Sequence, residues 1–262
     1  MRIEKIDAHE TRFDTTGKDS HGRRHSMLRK SISVPGTDEV MPYVDAGLSD
    51  GDESFFYRTR HPKDQIVLHF TMGYLGGDIA TLSQTDNHVS TPFVIGRNGI
   101  IYNLFPSFYW SYHLGRGTLG GNQVRSRRTI GIEISNIGPL VRDGDLMRTT
   151  YRDIYCGRGE QSAYTDQTYR DFDHYATFTN TQYEALIVLL RYLTARYRIA
   201  RRFLPPARRH VADRSVADFG GIVSHVNYRP TGKTDIGPAF DWDRVIGGVK
   251  RSTNLRTAAG AG

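Results

Sequence analysis

RTIGIEISN (128–136) is a short apolar run, rich in β-branched residues, with one carboxylate, Glu133, in its middle. A run of this length and composition suits a buried strand better than a helix. A charge inside such a strand is costly unless it is paired or put to use. Two neighbouring stretches extend the pattern. QIVLHF (65–70) reads as a second buried strand, and TPFVIGRNGIIYNLF (91–105) as a strand, a turn at Arg97-Asn98-Gly99 and a further strand. Asn-Gly between apolar segments is a strong hairpin signal, because both residues tolerate positive φ.

Helical signals alternate with these runs. A short helix is expected from about Asp78, and DWDRVI (241–246) reads as a C-terminal one. The clearest is TNTQYEALIVLLRYLTARYRI (179–199), where Tyr183, Leu186, Ile187, Leu190, Leu193 and Tyr197 form a core-facing stripe. Thr179 and Gln182 have the spacing of a capping box. Strands alternating with helices imply an α/β fold, and the hairpin makes its sheet mixed. The expected architecture is a central mixed β-sheet flanked by helices.

The rest of the chain is organised around that unit. Residues 1–60 are polar and read as an irregular N-terminal arm or cap, with ISVPG (32–36) a short strand ended by Pro-Gly. Residues 61–250 form the main domain. Within it, about 138–178 read as a long ordered insertion, because its many Tyr and Phe side chains argue against disorder. The tail, 251–262, is expected to be flexible.

Net charge is +7 and the pI about 9.5, which favours polyanionic partners. The basic residues lie in scattered clusters, not one stripe, and no nucleic-acid-binding motif is present, so no nucleic-acid partner is expected. No apolar stretch is long enough for a membrane span. The single cysteine, Cys156, cannot form an intramolecular disulfide. No secretory signal is legible, so synthesis in the cytoplasm is expected, with release by lysis or a dedicated export route. Oligomeric state is not readable.

Among ten histidines, three stand apart. His69 ends the run QIVLH before a Gly-containing loop, His225 ends GIVSH in the same way, and His113 lies in the aromatic turn WSYHLG. A residue at a strand's end can project into a cleft. Catalytic zinc takes three protein ligands and keeps a position open, and His69, His225 and Asp235 would supply that set. Lys233 and Asp235 are two apart, so in an extended segment they point the same way. Glu133, its pKa raised by burial, is the natural general base.

The ordered set LHFTMG, HVSTPFVIGRNGIIYNLFP, WSYHLG, IGIEISN, the long helix and SHVNYRPTGKTDIGPAFDW resembles the zinc-dependent N-acetylmuramoyl-L-alanine amidases. That family includes the muropeptide-recycling amidase, T7-type lysozyme and the peptidoglycan recognition proteins. The resemblance covers about residues 65–247. It implies an amidase/peptidoglycan-recognition-protein-like fold and hydrolysis of the amide between N-acetylmuramic acid and L-alanine in peptidoglycan or muropeptides. It implies Zn2+ on His69, His225 and Asp235, with Glu133 and Lys233 catalytic. It places His113 in the substrate pocket, with Tyr112 and Trp110 lining the groove. Where T7-type members carry a Tyr, this chain has Thr91, which fits the branch relying on Glu133. Their third ligand is Cys, whereas Asp stands here. The alternative is a peptidoglycan-binding recognition module without catalysis, but such relatives lack a zinc ligand. Cell-wall degradation of an endolysin-like kind and muropeptide recycling both fit, and stem-peptide preference is not legible.

Overall fold

The computed structural model describes residues 2–251. The tail expected to be flexible lies outside the described residues from 252 onward. The chain opens with helix α1 (Arg2–Thr16) and a hairpin of β1 (Leu28–Ser33) and β2 (Val40–Asp45). Strand β3 (Gln65–Phe70), helix α2 (Leu75–Leu82), the hairpin β4 (Phe93–Ile95) and β5 (Ile101–Asn103), helix α3 (Asn122–Arg128) and β6 (Thr129–Ile134) follow. Five further strands come next: β7 (Pro139–Asp143), β8 (Leu146–Thr149), β9 (Ile154–Gly157), β10 (Tyr164–Tyr169) and β11 (Phe172–Ala176). Helix α4 (Asn180–Tyr197), β12 (Gly221–Ser224) and α5 (Trp242–Lys250) complete the described chain.

Seven strands form one sheet in the order β1-β2-β5-β4-β6-β3-β12. Strands β4, β6, β3 and β12 run parallel, while the hairpins β1–β2 and β4–β5 are antiparallel. The sheet is therefore mixed, as the hairpin signal requires. Side-chain alternation gives each strand two faces. Ile66 and Leu68 of β3 and Ile130, Ile132 and Ile134 of β6 pack with Leu186, Leu189, Leu190 and Leu193 of α4 and Val245 and Val249 of α5. The opposite face holds Val67 and His69 of β3, and Thr129, Gly131 and Glu133 of β6. Helix α4 begins where its cap signals place it: Gln182 N donates to Thr179 Oγ1 at 3.1 Å, and Thr179 N to Gln182 Oε1 at 3.0 Å.

Three segments differ from the sequence expectation. Residues 1–60 are not an irregular arm. Helix α1 buries Ile6, Glu10 and Phe13 at i, i+4 and i+7, and β1–β2 extends the main sheet beside β5. Glu10 accepts from the backbone N–H groups of Arg97 and Asn98, so the helix caps the β4–β5 turn. Helix α2 starts three residues before Asp78, through Gly76 and Gly77, because the 19–20 segment packs against them and Ser20 N donates to Gly76 O at 3.0 Å. The insertion at 138–178 is a second, antiparallel sheet in the order β10-β11-β7-β8-β9. Its core includes Leu140, Met147, Tyr155 and Cys156, together with Ile6 of α1. Among the described residues, no helix is long and apolar enough to cross a membrane.

Candidate active site

Parallel pairing brings the chemistry together at one end of the sheet. His69 is the penultimate residue of β3, and in the β3–β6 register it lies opposite Glu133, the penultimate residue of β6. Strand β12 pairs Ser224 with Leu68, so His225, the next residue, emerges at the same end. Open α/β sheets bind ligands at the carboxyl ends of their parallel strands. Asp235 arrives on the following loop, held by Val226 N donating to Asp235 O at 3.0 Å.

His69, His225 and Asp235 are buried, and their ligating atoms converge. Nδ1 of His69 lies 2.9 Å from Nδ1 of His225. Oδ2 of Asp235 lies 2.8 Å from the latter and 3.2 Å from the former. The protons on this triangle can be counted from the surrounding bonds. Thr129 Oγ1 donates its one proton to Arg125 O at 2.9 Å. His113 Nε2, 2.7 Å from that hydroxyl, must therefore donate to it, leaving His113 Nδ1 an acceptor. His69 Nε2, 3.0 Å away, donates to His113 Nδ1, so His69 Nδ1 carries a lone pair. His225 Nε2 donates to Leu114 O at 2.8 Å, so its Nδ1 carries one too. Two imidazole lone pairs and a carboxylate oxygen thus face one another with no proton between them. That arrangement is repulsive until a cation joins it. A tetrahedral zinc with N and O ligands at about 2.0–2.1 Å would set neighbouring ligand atoms about 3.3 Å apart, close to this triangle. The donor set fits the metal.

Burial and neighbouring charge reinforce this reading. Burial, then His225, brings the pKa of His69 down to about 4, and burial, then His69, keeps His113 well below the usual imidazole range. Both are neutral, as the proton count requires. Glu133 is pushed the other way. Burial raises it well above the ordinary value, Asp235 and Asp78 add to the rise, and Lys233 opposes it. Its Oε2 is buried without a hydrogen-bond partner. Asp78 on α2 is a second buried carboxyl, raised by burial to about 7 despite hydrogen bonds to Thr71 and Ser135.

Two cavities meet at Glu133. One, of about 360 Å³, is lined by Tyr112, His113, Arg116, His225 and Lys233 among others. The second, of about 700 Å³, is bounded by Lys5 and His9 of α1, Tyr74 and Asp78 of α2 and its approach, and Tyr151 of the β8–β9 turn. Glu133 and Leu82 line both. The structure thus brings His69, His225, Asp235, Glu133, Lys233, His113 and Tyr112 into one cleft. Trp110 is the exception and corrects the sequence reading. It is 3% exposed, stacks on Tyr57 at 4.3 Å between ring centres, and donates from Nε1 to Thr59 Oγ1 at 2.8 Å. Packing occupies it, and it lines neither cavity. Sequence reasoning missed Gly131 and Thr129, which seat His113, and Asp78. A glycine between Thr129 and Glu133 on the site-facing side of β6 was the available signal.

The model of the N-acetylmuramoyl-L-alanine amidase family matches residues 59–238, more than half the chain. No curated protein matches the chain in sequence. Several solved structures are similar in fold. The N-acetylmuramyl-L-alanine amidase AmiD from E. coli, complexed with anhydro-N-acetylmuramic acid-L-Ala-D-gamma-Glu-L-Lys, is 22% identical, with a TM-score of 0.47 over 73% of this chain and 59% of its own. AmpDh3 from Pseudomonas aeruginosa is 19% identical, at 0.45 over 73% and 63%. PlyL is 12% identical, at 0.44 over 82% and 100%. The chain covers less than two thirds of the length of AmiD and AmpDh3.

Proposed function

Because the chain belongs to the N-acetylmuramoyl-L-alanine amidase family, we propose that it hydrolyses the amide between the lactyl group of N-acetylmuramic acid and L-alanine of the stem peptide, using zinc. Peptidoglycan or a muropeptide would be the substrate. The observation that carries this reading is the convergence of three proton-free acceptor atoms, from His69, His225 and Asp235, beside a buried, unpartnered carboxyl. Zinc held by those three residues would make a water more acidic and polarise the carbonyl oxygen.

The chain's own groups do the rest. Glu133 takes a proton from the attacking water as the new C–O bond forms. Its raised pKa makes it a base strong enough for that transfer and an acid strong enough for the next. The same carboxyl returns the proton to the amide nitrogen as the C–N bond breaks. The products are the muramoyl carboxylic acid and a stem peptide with a free amine. Lys233, half-buried at the wall of the smaller cavity, would supply an ammonium to the charge that develops on the carbonyl oxygen. A donor of that kind is worth about 3–4 kcal/mol. The relay Arg125–Thr129–His113–His69 leaves Nδ1 of His69 as the nitrogen that would hold the metal, a task that outer hydrogen-bond partners perform in metal sites.

Mass spectrometry of peptidoglycan incubated with the protein, with and without a zinc chelator, tests the reading. Stem peptides starting at L-alanine should appear, disappear on chelation and return with zinc. His225→Ala and Asp235→Ala should lose bound zinc and activity together. Glu133→Gln should keep the metal and lose about 10²–10⁴-fold in kcat. Wall binding without cleavage would establish a recognition module instead. Cut glycan or cut cross-links would mean that a different bond is the target.

A further inference from the structure

The larger cavity adjoins the chemistry assigned above through Glu133, and part of its wall, Lys5 and His9, comes from α1, which precedes the family-matched residues. Its floor carries two buried carboxyl oxygens without hydrogen-bond partners, Asp78 Oδ2 and Glu133 Oε2. Unsatisfied buried acceptors call for donors. The wall looks basic in sequence but is not so in charge. Lys5 is paired with Asp153 at 2.7 Å, and burial and nearby cations lower the pKa of His9, whose ring stacks on Tyr74 at 4.8 Å. His21 stands at the exposed rim. Tyr151, 61% exposed, lines the same cavity. Neutral aromatic walls above carboxyl acceptors suit a neutral ligand rich in hydroxyl and amide donors, with C–H faces that rest on a ring. They offer a ligand carboxylate little compensating charge, because Lys5 is already paired with Asp153. The smaller cavity has the opposite character, with Arg116 and Lys233 on its wall.

We propose that the larger cavity is the saccharide subsite, in which Asp78 and Tyr151 hold the muramoyl sugar while the acidic stem peptide runs past Arg116 in the smaller one. The proposal rests on the amidase reading and gives the substrate a direction across Glu133. Asp78 and Tyr151 are then specificity determinants of this chain.

The test compares two substrates sharing one scissile amide: N-acetylmuramoyl-tripeptide, and D-lactoyl-tripeptide, which lacks the sugar. Tyr151→Ala, on an exposed side chain, should raise KM about tenfold for the first and leave the second unchanged, with kcat little altered on either. Asp78→Asn should change KM in the same direction. Arg116→Ala should raise KM on both. An equal effect of Tyr151→Ala on both substrates, or none on either, overturns the proposal while leaving the amidase reading intact. If the wild-type protein cleaves neither, the amidase reading fails on its own. The subsite is then decided by NMR titration with peptide-free N-acetylglucosaminyl-N-acetylmuramic acid. Shifts at residues of the larger cavity that vanish in Tyr151→Ala support it, and no shifts there refute it.

Discussion

Gly131 shows how much rests on one absent methyl group. A Cβ at that position would stand 2.6 Å from Thr91 Cγ2 and 3.0 Å from His113 Nδ1. His113 lies over Gly131 because nothing else is there, and its place fixes the tautomer of His69. Gly131→Ala is therefore expected to cost about 1–3 kcal/mol in unfolding free energy, through overpacking. By displacing the relay it should also weaken zinc affinity about 10–100-fold. Denaturant unfolding and competition with a zinc indicator would measure both, and unchanged affinity would show that the relay does not tune the metal. At this scale the places of His69 and His225 were legible, because an apolar run stopping at a histidine marks a strand end. The task of His113 was not, since it follows from counting protons through Thr129 and Arg125, which are near it only in space. Trp110 misled for a related reason: an aromatic residue in a turn looks alike in sequence whether it faces a cleft or stacks on Tyr57.

Among the elements, α2 carries the most consequential titration. The Asp78 carboxyl, raised from 3.8 to about 7, binds a proton in the folded protein across a range where the unfolded chain has released it. Stability from this source is complete below about pH 3.8 and falls as pH rises through about 7. Asp78→Asn should flatten that part of the stability profile, as thermal unfolding between pH 4 and 8 would record. A slope unchanged by the substitution would place the titration elsewhere. Strands β3 to β6 were readable as short apolar runs bounded by turn residues, and helix α4 because its apolar residues repeat at 3.6. Helix α1 hid because Glu10 stands in the middle of its buried stripe. Strands β7 to β11 hid because none is a sustained apolar run: PLVRD, LMRT, YTDQTY and FDHYA mix polar with apolar residues, and IYCG is very short.

For the molecule as a whole, Glu10 is the joint between the N-terminal segment and the amidase unit. Its carboxylate satisfies two backbone N–H groups of the β4–β5 turn, and burial raises its pKa even so. Glu10→Ala leaves those donors unpaired and should lower stability by about 1–3 kcal/mol. Loosening α1 should also raise KM for sugar-bearing substrates, because Lys5 and His9 wall the larger cavity. Calorimetry and steady-state kinetics on the same variant would test the two effects together. The same docking has a consequence for how the molecule assembles. Helix α1 precedes every surface it rests on: Tyr74, the Arg97–Asn98 turn and strand β9. A helix of 15 residues is marginal alone in water. It can settle only after those later surfaces exist. The larger cavity, walled in part by Lys5 and His9, is therefore completed only once those surfaces have formed.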